Sequence, residues 1–446
     1  MREHIRGVLR VATLVATLVG AAAFCAAGSA AAQAMTLADA VDAALRGHPA
    51  VAAATARMSA AEEAGDAARA AWLPGAAVSA TLTRFQEPMI VAPLHGLDLS
   101  SPPTFDRTLV QGRLGLQYTL FDGGARSARI RGADAAQEAS GYARDATAMD
   151  ILEQTVAAYV GVLSARAVLE ASEAQVVALQ AEHERAERAL ATGTTAEVEV
   201  LRAAATLQEA RAEEASASAR VGLADRALAR LIGTDADDVS ERALADVGTR
   251  ATPPDGAAAT SPLVLRASRT VAAAEARLVE ERGGRLPSLE AGAGLLDYGT
   301  ISGDHVLEWQ AGLQVSWPLF TGGARSAAVR RAAAEVAAAE RDLEATRLYV
   351  DQTADAARTA VVEADARAEA LALAVTHWEE VTRIEALALA AGSGVQHDLL
   401  RAEAGLFGAR AGHAAARYEA IVARARLARA QGTLDRTWIT EALETR

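Results

Sequence analysis

One stretch of this chain occurs twice. Tyr118 to Arg131 read YTLFDGGARSARIR and Trp317 to Arg330 read WPLFTGGARSAAVR, 199 residues apart. The same offset joins Gly193, Leu201, Arg202 and Arg211 to Gly392, Leu400, Arg401 and Arg410, and Gly233-Thr234 to Gly432-Thr433. So long a period lies outside the roughly 20 to 50 residues of solenoid repeats, and only two copies exist. The chain therefore reads as a duplicated unit with internal pseudo-symmetry. His48-Pro49 with Ser261-Pro262, and Leu73-Pro74 with Leu286-Pro287, keep an offset of 213 instead. The 14 extra residues of the first copy then fall between Pro74 and Phe121, and the Pro-rich segment Arg84 to Asp106 is expected to hold them in an exposed loop.

The organisation follows from the repeat. Residues 1–34 hold Arg2, Arg6 and Arg10, a run from Val8 to Phe24 that is largely apolar and charged only at Arg10, and a closing Ala32-Gln33-Ala34, the pattern of a secretory signal peptide. Cys25, the single cysteine, lies within it, either removed with the leader or lipid-modified, although Phe24 is bulky where a lipidation signal wants a small residue. An exported chain then relies on packing or oligomerisation, with no disulfide framework. The first structural repeat spans 35–233: a helix interrupted at Gly47-His48-Pro49, a β-hairpin at 74–121, a long helix at 127–191 and a helix at 195–232. A linker at 234–261 with Pro253-Pro254-Asp255-Gly256 leads to the second repeat, 262–433, with its hairpin at 287–320, long helix at 326–391 and helix at 395–431. A tail, 434–446, closes the chain.

The strands carry the sharpest physical signal. Val110, Gly112, Leu114, Leu116, Tyr118 and Leu120 alternate with Gln111, Arg113, Gly115, Gln117 and Thr119. Leu307, Trp309, Ala311, Leu313, Val315, Trp317 and Leu319 alternate likewise with Glu308, Gln310, Gly312, Gln314, Ser316 and Pro318. Period two over more than about ten residues, with an apolar face ending in aromatics, suits a membrane β-barrel strand facing lipid on one side and water on the other. A sheet half-buried on a soluble core would show the same alternation. Four strands cannot close a lipid-facing barrel, for which about eight is the practical minimum, so a barrel would have to be shared among chains.

The long helices point the same way. Residues 127–191 contain no Pro and 326–391 contain neither Gly nor Pro; about 65 helical residues span roughly 98 Å, the length of a coiled-coil rod and far beyond a globular helix. Ala on several faces fits staves touching neighbours on both sides; an antiparallel coiled coil without a tube is the other reading. No run of eighteen apolar residues follows the leader. The formal charge of −13, all of its cations arginine, disfavours a phosphate backbone, so nucleic acid is not an expected partner.

With its doubled LFDGGARSARIR and LFTGGARSAAVR junctions, its His48-Pro49 and Leu-Pro pairs, and its Gly193-to-Leu201 and Gly392-to-Leu400 spacing, the chain resembles the TolC-like outer membrane factor family. The resemblance implies an α+β fold in which long helical hairpins form a trimeric periplasmic α-barrel and four strands per chain contribute to a 12-stranded transmembrane β-barrel. It further implies a homotrimer in outer-membrane lipid that docks a periplasmic adaptor and serves an inner-membrane RND, ABC or MFS transporter, in a tripartite efflux pump or a type I secretion system. A non-conducting periplasmic or surface coiled-coil scaffold is the alternative, and membrane fractionation separates the two.

Three sets of residues are singled out. Gly123, Gly124, Gly322 and Gly323 let the chain turn from strand to helix through backbone angles other residues avoid. The hairpin tips, Gly193, Thr194 and Thr195 with Gly392, Ser393 and Gly394, are where the resemblance places adaptor docking, and Thr195 is expected to N-cap the returning helix. Glu199 and Asp398 lie six residues beyond each tip glycine, with Arg202 and Arg401 three further on. The resemblance places acidic residues there at the pore entrance, while the helix dipole alone also favours them. Arg401 stands where the family can carry a second carboxylate. No catalytic constellation and no cofactor or metal site is expected: His183 in Glu182-His183-Glu184 lacks the second histidine of a zinc helix, and there is no nucleophile elbow or P-loop.

Overall fold

The computed structural model describes residues 34–91, 100, 104–248, 260–303 and 305–443. The expected leader lies outside them save for Ala34, as does Pro253-Pro254-Asp255-Gly256. The elements run α1 (Leu37–Gly47), α2 (Pro49–Ala70), β1 (Gly75–Ile90), β2 (Phe105–Phe121), α3 (Ala125–Ala191), α4 (Glu197–Ile232), α5 (Ala236–Ser240), α6 (Pro262–Gly283), β3 (Ser288–Gly299), β4 (His305–Ser316), α7 (Ala324–Ala390), α8 (Gln396–Ala430) and α9 (Arg436–Ala442). Among the described residues no helix is long and apolar enough to cross a membrane. The chain divides into two units, residues 49–148 with 257–354, and residues 1–48 with 149–256 and 355–446.

In the unit of residues 49–148 and 257–354, an antiparallel sheet of order β1-β2-β3-β4 leaves β1 and β4 as open edges. The segment expected to loop out is partly strand. Residues 84–90 extend β1, with a register shift between Arg84 and Met89, and Phe105 and Asp106 open β2. The amide of Val91 donates to the Thr104 carbonyl at 2.9 Å, so part of the extra length of the first copy lengthens its hairpin; residues 92–99 and 101–103 of the expected loop lie outside the described residues. β4 stops at Ser316, short of the alternation read through Leu319, because Pro318 has no amide to give the ladder. Ion pairs tie the helices of this unit: Arg69 of α2 to Asp134 of α3 at 2.5 Å, and Arg129 and Glu138 of α3 to Glu280 and Arg269 of α6 at 2.8 and 2.7 Å.

In the other unit, α1 begins with a capping box. The Thr36 hydroxyl accepts from the Asp39 amide and the Asp39 carboxylate accepts from the Thr36 amide, each at 3.1 Å. It ends at Gly47 because the residue before Pro49 is driven to extended angles, with His48 at φ −74° and ψ 126°. The core gathers Leu37 and Val41 of α1, Leu152, Val156 and Tyr159 of α3, Leu228 of α4 and Ile421 and Ala425 of α8. Residues between and after the repeats join it, namely Val239, Val247, Leu434, Ile439 and Leu443, all buried. Each buried aliphatic side chain contributes about 1.5–3 kcal/mol over its exposed state. The Tyr159 hydroxyl lies 2.7 Å from the Met35 carbonyl and 2.8 Å from that of Ala245, holding the short parallel bridge of Met35 with Leu244.

The repeated Gly-Thr is a repeated helix stop. Gly233 and Gly432 take φ of 74° and 73°, and the amides of Thr234 and Thr433 close on the carbonyls of Ala229 and Ala428 at 3.1 and 2.9 Å.

Candidate functional site

The sheet register decides which side chains share a face. Val78, Leu114, Leu295 and Trp309 pair in sequence across β1, β2, β3 and β4, making one exposed apolar row. Trp309 is 78 % exposed and Val78 79 %, so the row has no cover among the described residues. One residue along each strand the opposite face carries Ser79, Arg113, Leu296 and Glu308 in another row, polar but for Leu296, and Gln117 donates to Glu290 at 2.7 Å between β2 and β3. The alternation read in β2 and in β4 thus falls into a single two-faced sheet, mainly apolar on one side and mainly polar on the other, with Asp297 and Leu296 of β3 as the exceptions to each.

Gly123 and Gly124 take φ of 68° and 82°, and Gly322 and Gly323 take 61° and 87°, so both glycine pairs turn through the left-handed region after their strands. At the first junction Asp122 caps α3, accepting from the amides of Gly124 at 3.1 Å and Arg126 at 2.9 Å. The Arg126 guanidinium lies 4.2 Å above the Trp72 ring, faces Asp122 at 3.3 Å and donates to the Ala71 carbonyl at 3.2 Å. The second junction has Thr321 in place of Asp122, and its apolar residues Trp317, Leu319 and Phe320 are exposed.

The two hairpin tips are built alike. Gly193 and Gly392 take φ of 72° and 73°. The Thr194 hydroxyl and amide both donate to the Ala189 carbonyl at 2.9 Å, and Ser393 does the same to Ala388 at 3.2 and 3.0 Å. A small hydroxyl residue after each glycine therefore closes the end of each long helix. Gly394 lies tight against the Ala388 and Leu389 backbone, where a Cβ would come within 2.8 Å. The expected Thr195 cap does not form: α4 starts after Ala196 and α8 after Val395, with no side-chain cap at either. These two residues stand 199 apart, so the repeat sets the helix start by backbone conformation where a polar cap was expected. Beyond the tips Glu199 pairs with Arg202 at 2.7 Å, while Asp398 is exposed and, among the described residues, forms no such pair with Arg401.

The structure adds two pairings that residue identity had hidden. Arg166 of α3 pairs with Asp225 of α4 at 3.2 Å, and Asp365 of α7 pairs with Arg424 of α8 at 2.8 Å. These are the same two repeat positions with the charges exchanged, visible in the sequence only if complementarity across the offset is sought in place of identity. Gln180 with Arg211 and Glu379 with Arg410 are likewise equivalent, each joined at 2.9 Å. Among the described residues no group of three or more His, Cys, Asp and Glu side chains is arranged to hold a metal ion.

The sequence matches the model of the outer membrane efflux protein family over residues 40–234 and 254–433. The chain belongs to this family. Membership places this efflux protein in the outer membrane, and family and fold alike are those of channels. Solved structures bear out the fold. The outer membrane protein VceC of Vibrio cholerae is 20 % identical over 89 % of this chain and 96 % of its own, with a TM-score of 0.75. The CmeC outer membrane channel of Campylobacter jejuni is 16 % identical over 91 % and 88 %, with a TM-score of 0.77. The MtrE outer membrane channel of Neisseria gonorrhoeae, solved in an open state, is 20 % identical over 90 % of each chain, with a TM-score of 0.71. Among curated proteins none matches the efflux protein's sequence.

Proposed function

We propose that three copies of this chain form a passive exit duct across the outer membrane and periplasm, serving a tripartite efflux pump or a type I secretion system. The observation that carries the reading is the two-faced sheet with two unpaired edges. In hydrocarbon every backbone amide and carbonyl needs a partner, so an open edge is untenable and a sheet of four strands is too short to close on itself. Joining β4 of one copy to β1 of the next, three times, gives a barrel of 12 strands with the apolar row against lipid and the row of Ser79, Arg113, Leu296 and Glu308 inside.

The helical hairpins line the periplasmic part of the duct. Their tips, Gly193 to Thr195 and Gly392 to Gly394, meet a periplasmic adaptor, and an RND, ABC or MFS transporter of the inner membrane supplies the energy. Glu199 and Asp398 with Arg202 and Arg401 stand at the periplasmic mouth, where carboxylates from three chains favour cations over anions. Envelope fractionation, gel mobility before and after heating, and planar-bilayer conductance test the reading together. An outer-membrane species that runs as a trimer until heated and conducts in bilayers is expected. A soluble periplasmic chain without conductance would overturn it in favour of a scaffold.

A further inference from the structure

The unit that holds both hairpin tips also holds two carboxyl groups, one buried and one half-buried, that no part of the duct reading uses. Glu182 lies on α3, 11 residues before the tip glycine Gly193, and Glu403 lies on α8, 11 residues after Gly392. Glu182 is only 4 % exposed. One of its oxygens accepts from Arg185; the other, Oε2, is buried with no hydrogen-bond partner, and so is Oε2 of Glu403. Three residues before each acid on its own helix stand Leu179 and Leu400, which pack with Leu207 and Ala210 of α4. The acids therefore continue an apolar seam between the two hairpins by one helical turn. Neither has an apolar counterpart of matching length in the other repeat, since the equivalent positions are Val381 and Ala204.

One arginine cannot neutralise two carboxylates whose inward oxygens are both shut off from water. A second negative charge there is opposed both by burial and by its neighbour, and a proton held between the two removes the repulsion while giving both bare oxygens a partner. We propose that Glu182 and Glu403 are a proton-dependent latch between the two hairpins: with one proton shared, the Glu403 hydroxyl donates to Glu182 and fastens α8 to α3, and loss of that proton loosens the seam. Both groups belong to one chain, so the latch stands whether or not the assembly conducts.

The surrounding charges agree with this. Burial, and then the Glu182 carboxylate, push the Glu403 carboxyl up to about 7, with Arg185 opposing. Of the other charged groups on the packed helices, Arg211 of α4 donates to Gln180, Arg410 of α8 to Glu379 of α7, and His183 of α3 faces Glu187 at 3.5 Å. The folded chain keeps this proton where the unfolded chain, at the ordinary 4.5, has released it. The stability of the seam is therefore full below about 4.5, declines as pH rises from there to about 7, and is level above.

Hydrogen exchange of the full chain at pH 6 and pH 8, corrected for the intrinsic pH dependence of exchange, tests the latch. Protection of residues 179–186 and 400–407 is expected to fall about tenfold from the lower to the higher pH, while residues 150–160 in the core stay unchanged. Glu403→Gln, which still donates to Glu182 and does not ionise, is expected to keep the higher protection at both values. Should that variant fail to fold, Glu182→Gln, which removes the same repulsion, is read instead. Equal corrected protection of the unaltered chain at the two pH values, or a folded glutamine variant that responds as the unaltered chain does, would overturn the proposal.

Discussion

The first strand-to-helix junction is covered by its own chain, and the second, with the same Gly-Gly-Ala-Arg-Ser, is not. A Cβ added at Gly123 would lie 2.5 Å from the Gly283 carbonyl oxygen at the end of α6, whereas one added at Gly322 would meet nothing within 4 Å. Arg126 is buried on Trp72, whereas Arg325 is only partly covered. The two sequences are nearly identical, so the cause is position. β2 has a strand on each side, while β4 is an edge of the sheet. Equal local sequences thus give equal backbone turns and unequal surroundings, and what a residue is worth depends on which copy it belongs to.

The largest expected contrast is at the glycines. Gly123→Ala meets both a positive φ and a backbone carbonyl, and should cost about 3 kcal/mol or more, while Gly322→Ala meets the positive φ alone and should cost about 1 kcal/mol. Denaturant unfolding of the two variants in detergent measures both. Equal losses would mean that a neighbouring copy covers the second junction as tightly as α6 covers the first. Next come the arginines. Arg126→Ala removes a stacked, buried cation and leaves Asp122 with less compensation, at about 2–3 kcal/mol, against under about 0.5 kcal/mol for Arg325→Ala; thermal unfolding ranks them.

The exchanged ion pairs allow a finer test. Reversing both charges of Asp365 and Arg424 should restore most of what either single reversal loses, to within about 1 kcal/mol. Reversing both charges of Arg166 and Asp225 should recover less, because Arg166 also donates to the Val239 carbonyl at 2.8 Å and the Arg242 carbonyl at 3.0 Å, which an aspartate repels, whereas Arg424 donates to one carbonyl only, that of Ala420 at 3.1 Å one turn back on its own helix. A double-mutant cycle on each pair checks this, and full recovery in both would show that those carbonyl contacts contribute nothing. The smallest effect is expected at the mouth. Asp398→Ala, removing an exposed acid with no Arg401 partner, should lower cation preference in bilayers about twofold, and Glu199→Ala less, since Arg202 already offsets that charge. Unchanged selectivity in both would leave these acids to the helix dipole alone.

Much of this was legible in the chain. Alternation marked the β2 and β4 faces because the side-chain period of a strand is two, and Gly-Gly, Gly-Thr and the tip glycines marked turns because they need positive φ. The limits were physical too. Thr195 looked like a cap because composition shows a hydroxyl but not the backbone angles that place Ala196 at the helix start. Residues 84–90 looked like loop because the Pro and Gly signals of the segment outweigh a strand extension that itself contains Pro88. The Arg166 and Asp365 positions differ in identity, and a repeat search rewards sameness where these positions kept complementarity. Glu182 and Glu403 are far apart along the chain and match nothing at the offset; only packing brings them to one seam.

The bare edges of the sheet carry a genetic consequence. In the proposed trimer each chain contributes one left and one right seam, so a copy damaged at β1 or β4 spoils its neighbours' pairing as well as its own. If sound and damaged copies were made in equal amounts and mixed freely, only about one assembly in eight would be wholly sound. Lesions in these two strands should therefore be dominant, while a lesion confined to the interior strands β2 and β3 that prevents folding should simply remove its own copy and be recessive.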